Sequence, residues 1–173
     1  SAKTCRVLEL GCGDGGNLLS LAAALPSARL VGVDLSAVQI RMGQALAAEA
    51  GLANVTLVHA DLTTFEVEPD SFDYVIAHGV YSWVPPAVRD ALLRLAARAL
   101  TPTGVALVSH NTLPGQAPFR AVRELMRMHS AELHDNAKLD AARAIAHEWI
   151  ALHANDPRRR GTTERVAREL ARM

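Results

Sequence analysis

The residues best placed to do chemistry lie between Val7 and Asn17, V-L-E-L-G-C-G-D-G-G-N, where Glu9 precedes glycines at 11, 13 and 15. Glycine has no Cβ, so a backbone built from it can approach a ligand closely. A helix starting just beyond would offer N–H groups and partial positive charge to a carboxylate or phosphate. Two ligand classes use such a bend. A dinucleotide site wants G-x-G-x-x-G, which Gly11, Gly13 and Gly16 satisfy. An S-adenosylmethionine site wants an acid ahead of G-x-G-x-G, which Glu9, Gly11, Gly13 and Gly15 satisfy. The acid decides between them, because a carboxylate repels a pyrophosphate and suits the cationic end of a methionine. The plain alternative is a tight strand-to-helix turn without a ligand.

Two more acids follow at matching places. Asp34 ends an apolar run about twenty residues past the glycines, where a carboxylate can accept both hydroxyls of a ribose. Its plain alternative is an acid favouring a helix start, but Ser36 is already a good cap. Asp61 ends the next run and could accept from an adenine amino group while the Leu62 N–H meets a ring nitrogen. Leu35 and Leu62 could hold that ring between them. The competing reading makes Asp61 a turn residue bonded to Thr63 or Thr64. The expected cofactor set is therefore Glu9, Gly11, Cys12, Gly13, Gly15 and Asn17 from the turn. Asp34, Leu35 and Gln39 come from the second segment, Ala60, Asp61 and Leu62 from the third, and His78 from the fourth.

His78, Tyr81 and Trp83 lie where an acceptor would meet a transferred group. Aromatic rings there can guide an amine, and His78 or His110 could serve as a base; loop packing is the ordinary alternative for each. Asp73 falls at the far end of its strand, where a turn or solvated role is expected. His129, His134, His147 and His153 have no metal spacing and read as surface or interface residues. No metal site is expected. The Arg158–Arg160 run reads as a solvated loop.

These residues need elements to hold them. Val7, Leu8 and Leu10 predict a strand, and Leu18, Leu21 and Leu25 a helix that Pro26 stops. Strands are expected at 29–35, 55–60, 72–77 and 105–109. Ser36 with Gln39 forms a capping box, Val38, Met42 and Leu46 mark the buried face of the helix it opens, and Gly51 closes that helix. Pro85 and Pro86 open another helix, with Val88, Leu92, Leu95 and Ala99 on one face. Thr101–Gly104, T-P-T-G, reads as a turn. The alternation predicts an α/β fold, a Rossmann-like doubly wound sheet of at least five parallel strands with helices on both faces. Ligands of such sheets bind at the strands' carboxyl ends. From Gln116 the alternation stops, and a helical tail is expected. Phe119, Val122 and Met126 mark one helix of it, then Leu139, Ala142, Ile145, Trp149 and Leu152 a second. Asp156 to Gly161 breaks the run before Val166 and Leu170. Residues 1–115 thus form the binding core and 116–173 a helical extension, whose apolar stripe could pair with a second copy as a homodimer.

Bulk composition narrows the classes. The chain has 173 residues, half of them hydrophobic, enough for a full core. Lys plus Arg and Asp plus Glu balance at 18 each, so no net field draws it to nucleic acid or an anionic membrane. Cys5 and Cys12 give neither a metal spacing nor a disulfide framework, which suits a reduced cytoplasm. No apolar run reaches about eighteen residues, so no membrane association is expected.

The motifs V-L-E-L-G-C-G-D-G-G-N, V-G-V-D-L-S, H-A-D-L and F-D-Y-V-I-A-H-G-V-Y-S-W-V-P resemble class I S-adenosylmethionine-dependent methyltransferases over residues 5–110. The run A-H-G-V-Y-S-W-V-P with V-S-H-N-T-L-P-G resembles a narrower group, bacterial methyltransferases carrying a methyltransferase-regulatory domain. That group includes rickettsial protein-lysine methyltransferases. The resemblance implies S-adenosylmethionine as cofactor, with S-adenosylhomocysteine as product. It implies turn glycines on the methionine part, Asp34 on the ribose and Asp61 on the adenine. The chain departs from the group at His110, where tyrosine is more usual. The group's leading helices, final strand hairpin and regulatory domain are not found in it. His78–Tyr81 replaces the N/D-P-P-Y/F motif of base amino-methyltransferases, so a nucleic-acid acceptor is not expected. The acceptor is expected to be a protein lysine or, alternatively, a small molecule of secondary metabolism methylated on O, N or C. A cofactor-binding module without catalysis is a third reading, and a nicotinamide oxidoreductase a weaker fourth.

Overall fold

The computed structural model describes residues 4–113 and 117–171. The expected 115/116 boundary and the side chain of Phe119 lie outside the described residues. The chain falls into two compact units, residues 1–110 and 111–173.

The first unit runs β1 (Arg6–Leu10), α1 (Gly16–Ala24), β2 (Arg29–Asp34), α2 (Ala37–Glu49) and β3 (Val55–His59). It continues with β4 (Phe72–Ala77), α3 (Pro86–Ala99) and β5 (Leu100–Val108). The strands form one sheet in the order β3-β2-β1-β4-β5, and every pairing is parallel. All five carboxyl ends therefore share one edge, and the strand order reverses between β1 and β4, where ligands of such sheets collect.

Successive strand residues face opposite ways, and β1 shows the division. Val7 packs with Leu18 and Ala22 of α1, Ile40 of α2, and Leu30 and Leu57. Leu8 and Leu10 pack on the other face with Val33, Val75, Ala77 and with Leu92, Leu95 and Ala99 of α3. The sheet thus has helices on both faces, as the alternation predicts. One crossover lacks its helix: residues 60–71 contain turns only, and Phe65 and Val67 cover the core in its place.

Three details of the elements differ from the expectation. Val38, Met42 and Leu46 are exposed at 57%, 51% and 47%, while Ile40 and Ala47 are buried together with Gly43. Two of these three inner residues, Gly43 and Ala47, are small and let the helix sit close to the sheet, so the stripe Val38, Met42 and Leu46 turns outward. Thr101–Gly104 is not a free turn, because β5 already begins at Leu100. Leu100 pairs with Phe72 and Val105 with Tyr74, so the T-P-T-G segment is an irregularity inside the β4–β5 ladder. On the tail, Leu152 is 81% exposed and Leu139 37%, while Ala146 is fully buried.

The second unit comprises α4 (Ala117–His129), α5 (Asp135–His153) and α6 (Arg160–Leu170). Val122, Ala146, Trp149 and Val166 form its core, and its described residues contain no strand, as expected. His153 is no loose surface residue: its ring stacks on Trp149 with centroids 4.5 Å apart. The arginine run is held locally, with Arg158 and Arg159 on Asp156 and Arg160 on Glu164. Among the described residues, no helix is long and apolar enough to cross a membrane.

Candidate functional site

The glycine turn is built by left-handed backbone at Gly11 (φ 76°), Gly13 (φ 59°) and Gly15 (φ 76°), a conformation glycine adopts at no steric cost. Gly11 and Cys12 donate their N–H groups to the Val33 carbonyl at 2.8 and 3.1 Å, tying the turn to β2. An ideal Cβ at Gly13 would meet nothing within 4 Å, so the turn opens there onto free space. At Gly11 the same atom would meet Val80 at 2.9 Å, which puts the loop after β4 directly against the turn.

Glu9 is the electrostatic centre. It is only 4% exposed. Asn17 Nδ2 donates to its Oε1 at 3.1 Å, and burial raises its pKa while the Asn17 bond and the His78 charge pull it down. Its Oε2 is the one buried side-chain polar atom among the described residues with no hydrogen-bond partner. Such an atom costs free energy until a donor reaches it, so the site is incomplete in a way that a cationic or N–H-bearing ligand would complete. Cys12, a free thiol in the turn, is half-buried. Burial first, then the charges of Asp34, Glu9 and Asp14, push its thiol up to about 12, far from the thiolate that a nucleophile needs.

Asp34 takes a larger structural part than the sequence reading gives it. Its Oδ2 accepts the Gly13 N–H and its Oδ1 the Ser36 N–H, each at 2.8 Å, so one carboxylate joins the turn to the start of α2. The capping half of the Ser36–Gln39 pair is present, Gln39 N–H donating to Ser36 Oγ at 3.4 Å. Leu35 is 67% exposed at the mouth of the site, whereas Leu62 is 8% exposed and sits in the core. The Leu62 side chain thus packs on protein neighbours here, while Leu35 is open to solvent. Asp61 Oδ1 accepts both the N–H and the hydroxyl of Thr63, at 2.8 and 2.7 Å, which lowers its pKa. The turn role weighed for Asp61 is thus present in the structure. Ala60, half-buried, donates its N–H to the Asp34 carbonyl at 3.0 Å.

The aromatic cluster stands at the ends of β4 and β5. Tyr81 lies between His110, whose ring centroid is 6.4 Å away edge-on, and Arg89, whose guanidinium carbon is 5.8 Å from the Tyr81 centroid. Ser109 Oγ accepts the Gly79 N–H at 2.9 Å and joins the two loops. Trp83 is 62% exposed, and His78 is exposed as well. Asp73 sits at the opposite sheet edge, where it accepts the Arg6 N–H at 2.8 Å; that bond chiefly holds its carboxyl below the usual range. Among the described residues no group of His, Cys, Asp or Glu could hold a metal ion.

Sequence reasoning missed Val80, Ser109 and Arg89. Val and Ser carry no chemical signal of their own, and Arg89 lies inside a helix whose period concealed it.

Residues 7–104 match the family described as a methyltransferase domain. An uncharacterized protein of Rickettsia prowazekii is 44% identical over 126 residues, covering 73% of this chain and 23% of that one. A trans-aconitate 2-methyltransferase of Methylobacterium nodulans is 33% identical over 132 residues, 69% of this chain and 48% of the relative. The solved structure of PKMT2 from Rickettsia typhi in complex with AdoHcy is similar at a TM-score of 0.72 and 34% identity. It covers 96% of this chain and 33% of that one. The chain thus spans half or less of the length of these relatives.

Proposed function

The chain belongs to the methyltransferase-domain family, and from that premise we propose that it binds S-adenosylmethionine at the glycine turn and transfers its methyl group to an amine. The observation that carries this reading is the unpartnered, buried Oε2 of Glu9 beside an open glycine turn. Glu9 would hold the ammonium of the methionine moiety and Asp34 the ribose. The Leu62 N–H and Asp61 Oδ2 would meet the adenine edge. Leu35 would cover one face of the ring.

When bound, the cofactor supplies an electrophilic methyl on a sulfonium. The chain then has to bring an acceptor into line and keep water away, which is chiefly a matter of positioning. Tyr81 and Trp83 would close over the acceptor amine and, by shedding water from it, favour loss of its proton. His78 would be the group that takes that proton. The resemblance to rickettsial protein-lysine methyltransferases favours a lysine side chain as acceptor. A second reading has an observation of its own: Arg89 already places a cation against Tyr81, which would suit a small carboxylate acceptor.

Titration calorimetry with S-adenosylmethionine and S-adenosylhomocysteine, followed by labelled-methyl transfer, tests the proposal. Binding of both with label on polylysine is the expected result, and label on a small dicarboxylic or tricarboxylic acid alone would select the second reading. Binding without transfer to any acceptor would leave a cofactor-binding module, and no binding at all would end the proposal. Tyr81→Ala, which removes the ring, and His78→Ala, which removes the imidazole, should each lower turnover about tenfold or more; unchanged turnover in both would remove them from the acceptor site.

A further inference from the structure

Gly43 lies in the middle of α2 with its inner side against the glycine turn rather than against the sheet alone. An ideal Cβ there would overlap the carbonyl oxygen of Asp14 and stand 2.8 Å from the carbonyl carbon and 2.5 Å from Leu57 Cδ1. Real Cβ atoms essentially never come closer than 3.0 Å. The obstacle is backbone, so no side-chain rotation relieves it. Leu57 cannot give way freely either. A Cβ at Gly15 would stand 2.9 Å from it and one at Gly32 2.8 Å, so glycines from turn, strand and helix surround this one leucine.

The neighbours of Asp14 show what the contact controls. Gly13, before it, donates its N–H to Asp34 Oδ2. Gly16, two residues after it, donates its N–H to Asp14 Oδ1 at 3.0 Å. Asp34 in turn accepts from Ser36 at the start of α2. Helix α2 therefore meets the turn twice: through the Asp34 carboxylate at its N-cap Ser36, and through bare van der Waals contact at Gly43.

We propose that Gly43 is a positioning residue for cofactor binding: the absence of its side chain sets how deep the Cys12–Gly15 backbone lies and so where its N–H groups and Glu9 meet the methionine end. This rests on the cofactor reading of the turn given above. Position 43 touches no ligand itself and acts through the Asp14 carbonyl. The expectation runs against ordinary helix behaviour, since alanine in place of glycine inside a helix normally stabilises it.

The test compares the 173-residue chain with Gly43→Ala and Gly51→Ala. Gly51 also has a left-handed backbone, and nothing lies within 4 Å of its added Cβ, so that variant loses stability without touching the turn. Two quantities are measured: the 15N amide shifts of Gly13, Gly15 and Gly16 in the ligand-free chain, and the Kd for S-adenosylhomocysteine. In Gly43→Ala the turn amides should move and the Kd rise about tenfold or more, while Gly51→Ala leaves the turn amides in place and keeps the Kd within about twofold of the parent. Turn amides in place and an unchanged Kd in Gly43→Ala would overturn the proposal, as would an equal loss of affinity in both variants. If Gly43→Ala does not fold in buffer alone, it is measured with the parent and Gly51→Ala in an excluded osmolyte, which favours the compact state. A shifted turn in Gly43→Ala under those conditions supports the proposal and an unshifted one overturns it. Should the parent bind no S-adenosylhomocysteine, the cofactor reading fails while the amide shifts still decide whether Gly43 positions the turn.

Discussion

Asp34 shows what a single residue type announces and what it conceals. A carboxylate after the second strand is a visible signal for ribose recognition, but no spacing rule says that it also accepts from Gly13 and Ser36. Hydrogen bonds to a charged group contribute about 1.5–3 kcal/mol each where they are sheltered from water. Asp34→Ala should therefore lower the stability of the ligand-free chain by about 1–3 kcal/mol in urea titration, before any cofactor is added. A change below about 0.5 kcal/mol would mean that the two N–H groups find water as easily, and that the residue serves the ligand alone. Glu9 is legible for the opposite reason. A buried acid inside a strand is rare unless it is paired, and Oε2 of Glu9 has no hydrogen-bond partner in the structure. The burial of Leu62 is not legible, because an apolar residue at an open edge and one in a core carry the same letter.

At the scale of elements, strands are easier to read than helix phase. Each strand is a short apolar run closed by a chemical residue or a turn, and the runs at 29–35, 55–60 and 72–77 contain β2, β3 and β4. Helix α2 misleads because both of its faces are apolar. The stripe Val38, Met42 and Leu46 has the larger side chains, while the true inner face relies on Gly43 and Ala47, whose small size permits close approach. Point variants separate the two phases. Ile40 is 2% exposed, so Ile40→Ala should cost about 2–5 kcal/mol of unfolding free energy. Met42→Ala, on the outer face, should stay within about 0.5 kcal/mol. A large loss at Met42 with little at Ile40 would restore the sequence-based phase and displace the helix described here. The missing helix between β3 and β4 cannot be told from sequence, since Phe65 and Val67 cover the core from a chain without a repeating period.

For the molecule as a whole, balanced charge hides opposed titrations, and these predict an unusual pH profile. Burial raises the pKa of Glu9 above its ordinary 4.5. The folded chain therefore keeps that proton at pH values where the unfolded chain has released it, and stability falls as pH rises from 4.5 through the folded value. Asp73 and Asp61 act in the other direction, held below their ordinary 3.8 chiefly by the N–H groups of Arg6 and Thr63. Their contribution is present above 3.8 and is lost as pH falls through their folded values. The ligand-free chain should accordingly be most stable in a mildly acid window between these limits, not at neutrality. Urea midpoints measured from about pH 3 to about pH 8 would show it. Glu9→Gln should flatten only the upper limb and Asp73→Ala only the lower. Saturating S-adenosylhomocysteine, whose ammonium would meet Glu9, should lift the upper limb most, because it stabilises the ionised form that burial penalises. A profile of the Glu9→Gln variant parallel to the parent would show that Glu9 reaches water in the free chain. Its orphaned oxygen would then be no measure of a waiting ligand.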